Sequence, residues 1–149
     1  MTDQRSPAGT ENGAYVRFQS PAPNRRGHHS GLFALANGLA RDGRLSDDDH
    51  TWWRAANARC EATYADPSSV DPSCYDPRTN PGARAWFRTD ATHLVALARG
   101  YLDLLDRYGV AWEELRTDDP GLVVYADDVQ VVAVPRPPNR TRQGAVRAT

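Results

Sequence analysis

The chain has 149 residues, a length that suits one domain with a sizeable core, and it is almost neutral, with 19 acidic against 18 basic residues. Every basic residue is arginine, which excludes Schiff-base chemistry on lysine and the lysine-dependent phosphate loop. No apolar run approaches the roughly 18 residues that cross a bilayer, and the N-terminus lacks an apolar signal core, so a soluble cytoplasmic protein without membrane partners is expected.

Residues 1–13 are small, polar and aperiodic, and are expected to form a disordered tail. A single folded domain is expected over 14–135, followed by a second disordered tail, 136–149, rich in Arg and Pro. Within the domain, Tyr15–Gln19 alternates and is β-prone, and Ser20-Pro21 ends it. The loop PNRRGHHSG follows, and Ser30 is placed to cap a helix reaching about Arg41. Leu32, Leu35, Ala36 and Leu39 form its apolar stripe, and Gly43 stops it. Ser46 caps a second helix whose first turn, Asp47 to Asp49, suits the helix dipole. Its apolar face holds Trp53, Ala56, Cys60 and Tyr64, with Trp52 one position off, bordering a pocket or partner surface. The two helices predict an αα-hairpin.

Asp66–Arg84 carries four prolines and neither periodicity, so it is either a surface wrap or a lid. Ala85–Arg88 predicts a short strand, and Thr89 or Asp90 a cap for a helix faced by Leu94, Leu97, Ala98, Tyr101, Leu104, Leu105 and Tyr108. Strands are predicted over Val110–Arg116, Leu122–Tyr125 and Val129–Val134, with a hairpin or bulge at Asp127-Asp128. The order β-α-α-β-α-β-β(-β) implies an α+β fold: a mostly antiparallel sheet of four or five strands with three helices packed on one face. Trp86 to Trp112 could add one parallel, right-handed crossover. The stretches YVRF, AWFR and LRTDDPGLVVYADDVQVVAVP resemble a group of small uncharacterised proteins of high-GC bacteria, mainly actinobacterial, over about residues 15–135. That resemblance implies the domain limits and carries no activity with it.

The chemistry concentrates in the first loop. Arg25, Arg26, His28 and His29 precede Ser30 and Gly31, where the free amides of a helix N-terminus attract anions. The rival account is a solvated loop whose arginines pair with Asp47 to Asp49. Neighbouring histidines in an extended loop point apart, which argues against a shared metal. Arg17, if its face of the strand is covered, needs Asp127, Asp128 or a ligand anion as partner. Cys60 and Cys74 are expected as free thiols, and neither metal nor cofactor is implied.

Two functions fit these residues. The first is a non-catalytic binding protein for a small anionic ligand or a partner protein, with Arg17, Arg25, Arg26, Ser30 and Gly31 as ligand-binding residues. The second is a small enzyme on a phosphate-bearing, nucleotide-like or ADP-ribose-like substrate. In it His28 or His29 is the general acid–base, Asp128 orients the ring, and arginines clamp the anion. A dedicated nucleic-acid interface is not expected, since residues 1–134 are net acidic and only the tail is basic.

Overall fold

The computed structural model describes residues 13–136. Five strands, β1 (Tyr15–Gln19), β2 (Arg84–Arg88), β3 (Glu113–Thr117), β4 (Leu122–Ala126) and β5 (Gln130–Val134), form one sheet in the order β3-β1-β2-β5-β4. Every pairing among the described strands is antiparallel, and the fold is α+β. Because β2 and β3 both run antiparallel to β1, which lies between them, they run parallel to each other, and the helical connection from β2 to β3 over β1 is the parallel crossover expected between Trp86 and Trp112. The helices are α1 (Leu32–Arg41), α2 (Asp47–Thr63), α3 (Pro67–Val70) and α4 (Thr92–Arg107).

The alternation of β1 sends Val16 and Phe18 to the helix side, where they join Phe87 of β2 and the apolar faces of α1 and α4. Leu104, Leu105 and Tyr101 of α4 are fully buried there. Each such side chain contributes about 1.5–3 kcal/mol through burial, so α4 is the main anchor. The opposite face carries a smaller cluster of Trp86, Val131 and Ala133, flanked by Tyr15 and Leu115, with no helical residue in it.

Several boundaries differ from the sequence reading. Ser30 does not cap α1: Gly31 holds the N-cap position with no side-chain bond, while Ser30 Oγ lies 3.5 Å from Asn24 Nδ2. Ala91, not Thr89 or Asp90, precedes α4, again without a side-chain cap, because Thr89 bonds back to Gly13 O and Asp90 pairs with Arg88. Val110–Trp112 stays out of β3, since Val110 donates to Leu105 O and so completes the end of α4. Trp53, expected in the core, is half-buried and donates to Asn37 Oδ1 of α1. Trp52 turns inward on Tyr101, its ring edge-on at 5.2 Å, and borders a groove with His93. Of the disorder expected for 1–13 and 136–149, all but Gly13 and Arg136 falls outside the described residues. Those two are anchored: Gly13 is buried, and Arg136 makes a two-pronged bond to Asp119.

The segment between α2 and β2 follows a five-residue pattern, DPSSV-DPSCY-DPRTN. In each unit the aspartate carboxylate accepts the amide two residues on: Ser68 on Asp66, Ser73 on Asp71 and Arg78 on Asp76. Asn80 Nδ2 ties the strap together by donating to Ser73 O, and the strap tucks Cys74 into the interior.

Asp127 opens the hairpin between β4 and β5, and the register shift lies earlier, between Val123 and Tyr125. Its carboxylate accepts Val129 N, Gln130 N and the Tyr125 hydroxyl. Burial pushes this carboxyl up, but those bonds outweigh it and hold it below its ordinary value. Asp127→Ala should lower the unfolding free energy by about 2 kcal/mol in urea titrations. Because the folded value is depressed, the stabilisation is full above the open-chain carboxyl value of about 3.9 and is lost as pH falls through the folded one. The variant should therefore show a shallower acid limb than the wild type below about pH 4.

Candidate anion site

β1 and β2 pair only at Tyr15–Arg88 and Val16–Phe87. Toward Gln19 and Arg84 the strands part, and the Arg17 side chain occupies the gap. Its Nη1 donates to Ala85 O at 3.0 Å, Nη2 to His29 O at 2.8 Å, and Nε to Gln19 Oε1 at 2.7 Å. Gln19, itself buried, passes its amide nitrogen to Glu113 Oε2. The aspartate partner expected for Arg17 is therefore replaced by two carbonyls and an amide. Asp127 is committed to its hairpin, and Asp128 lies on the same turn near Arg88, at the other end of β2 from Arg84.

The four strand arginines fall into two pairs. Arg88 and Arg116 each hold a carboxylate two residues away, Asp90 and Glu114. Arg17 and Arg84 have no carboxylate within ion-pair distance among the described residues. Burial and the neighbouring Arg84 charge push Arg17 down to about 10, and burial pushes Arg84 down as well. Arg84 lies over the Trp86 ring, 5.3 Å from its centroid, and its buried Nε has no hydrogen-bond partner among the described residues. Guanidinium groups lose hydration here without gaining an anion, an arrangement that favours a negatively charged guest.

Arg17 and Arg84 share a hollow of about 310 Å³ with the start of α1, where Leu32, Phe33 and Ala34 line the wall. No side chain caps this helix, so its first amides remain available to a ligand, and the helix dipole adds positive potential. The Arg17 guanidinium passes close to Gly31: a Cβ placed there would stand 3.5 Å from both terminal nitrogens. A second hollow of about 280 Å³ adjoins the first, sharing Arg17, Arg84 and Tyr75 with it and adding His28 and His29. His29 Nδ1 lies 2.9 Å from Ser20 O, a carbonyl that can only accept, which leaves Nε2 as the unprotonated nitrogen of the neutral ring. Burial pushes the Tyr75 phenol up to about 12, so it stands over the site as a neutral hydroxyl.

Of the residues singled out in the sequence, Arg17, Gly31, His28 and His29 are brought together. Arg25 and Arg26 are exposed and line neither hollow, and Ser30 serves the loop. The ion pairs expected between the loop arginines and the start of α2 are absent among the described residues; Asp49 pairs with Arg107 instead. No group of three metal-ligating side chains occurs among the described residues. Arg84 and Tyr75 were missed, Arg84 because only the register of β1 against β2 places it beside Arg17. Compared with protein-family models, curated proteins and solved structures, the chain matches none of them.

Proposed function

We propose that this protein binds a small anionic ligand between Arg17, Arg84 and the uncapped start of α1. The observation that supports this reading is two desolvated guanidiniums sharing one hollow with free helix amides and no carboxylate among the described residues. A carboxylate or phosphate there would gain charge-assisted bonds from both side chains.

Thermal unfolding with inorganic phosphate and with acetate tests it. At a hundredfold excess over Kd, a bound anion should add about 2.7 kcal/mol of stability and raise Tm. Arg84→Gln should abolish that shift, whereas Arg25→Ala and Arg26→Ala should leave it unchanged. No shift with any anion, or a shift that survives Arg84→Gln, contradicts the reading.

The catalytic alternative, an enzyme acting on a phosphate-bearing substrate, draws support from His28, which lines the same site as Arg17. It lacks an orienting carboxylate there, since Asp128 is not among the lining residues. Turnover of a nucleotide or ADP-ribose that His28→Ala removes would favour it.

A further inference from the structure

A larger cleft of about 710 Å³ opens beside the anion site on the helix side of the sheet. The two are continuous, because Phe33, Tyr75, Ala85 and Phe87 line both. The Phe33 and Phe87 rings stand 5.9 Å apart as an apolar floor, and the DP-repeat strap brings Tyr75 over it. This volume is in the range that takes a small organic molecule rather than a bare ion.

The polar lining of the cleft includes Asn37 and Asn57, with the carboxylates of Glu61 and Asp66 also on its wall. Tyr101 gives its hydroxyl proton to Asn57 Oδ1, and Asn57 Nδ2 donates to Asn37 Oδ1, which also accepts from Trp53 Nε1. These bonds fix both amides with their oxygens turned into the network. The Asn37 nitrogen, with both its hydrogens, has no acceptor among the described residues and can serve only as a donor.

Resting on the anion reading above, we infer that the ligand is an amphipathic carboxylate or phosphate: an anionic head at Arg17 and Arg84, a flat apolar body over Phe33 and Phe87, and a hydrogen-bond acceptor at its far end facing Asn37. The head alone would leave the apolar floor wet, and an apolar body alone would leave the arginines unpaired.

Calorimetric titration of the full chain with acetate, hydrocinnamate and the para-acetyl derivative of hydrocinnamate tests this. Hydrocinnamate should bind about tenfold more tightly than acetate, as burial of one ring predicts. The acetyl group should add a further gain of about threefold that Asn37→Ala removes. Cys60→Phe, which places a larger side chain in the cleft at a position that does not line the anion hollow, should erase the advantage of hydrocinnamate and leave acetate binding intact. Circular dichroism and Tm of both variants report whether they are folded. Equal affinity for acetate and hydrocinnamate in the wild type, or an advantage that survives in folded Cys60→Phe, overturns the inference while the anion site stands. Failure of all three compounds to bind overturns the anion reading itself, and with it this one.

Discussion

Tyr101→Ala should destabilise the protein by about 4 kcal/mol, the largest effect expected of any single substitution described for this chain. Tyr101 is fully buried at the centre of the helix layer, with its ring edge-on to Phe33 at 5.0 Å and to Trp52 at 5.2 Å. Truncation leaves a cavity among aromatic neighbours that are themselves held by α1 and α2, so little collapse can offset it. Gly100, one position before, has Trp52 so close that a Cβ would stand 2.6 Å from the ring, which shows how tightly that side is packed. Tyr101→Phe isolates the polar part: it removes only the donor to Asn57, at about 1–2 kcal/mol, and unlocks the amide pair at the end of the cleft. Urea unfolding of the two variants separates packing from hydrogen bonding, with a lower midpoint and an unchanged slope expected for both.

Gly121→Ala should cost about 3 kcal/mol, for a reason of backbone rather than burial of side chains. Gly121 has a φ of 120°, outside the range that L side chains adopt without strain. A Cβ there also runs into the carbonyl of Val134, the residue paired with Leu122 in the β4–β5 ladder. The carbonyl cannot retreat without breaking the sheet edge, so both terms act together. Unfolding midpoints measure the loss, and Gly43→Ala is the control: it also has positive φ, at 70°, but open space around it, and should cost no more than about 1–2 kcal/mol.

The sheet and the long helices were legible because their signals are local. The alternation of Tyr15–Gln19, the apolar stripe of α4 and the DPG turn before β4 each state a conformation within a few residues. The caps were less legible. Ser30 has the chemistry of an N-cap, but the loop from Asn24 turns back on itself through Asn24 Oδ1, which accepts the amides of Arg26 and His28, and this holds Ser30 one residue short of the helix. The repeated Asp-Pro units of the strap were readable in principle, since each aspartate caps its own turn.

The site divides along the same line. Arg17 stood out as a charged residue inside a strand. Arg84, at the end of a proline-rich stretch, carries no local mark, and its closeness to Arg17 depends on two strands far apart in sequence that part after two pairs. The conspicuous arginines of the loop, Arg25 and Arg26, are the exposed ones. Composition drew attention to the loop with its neighbouring histidines and helix start, while the guanidiniums it made conspicuous there line neither hollow.

The central claim is that Arg17 and Arg84, not the loop arginines, meet the anion. Guanidinium Nε–H resonances followed by nitrogen-15 NMR during a phosphate titration read this residue by residue. Saturable shifts at Arg17 and Arg84, with Arg25 and Arg26 unmoved, are the result expected. Shifts confined to Arg25 and Arg26, or none at Arg17 and Arg84, would contradict it.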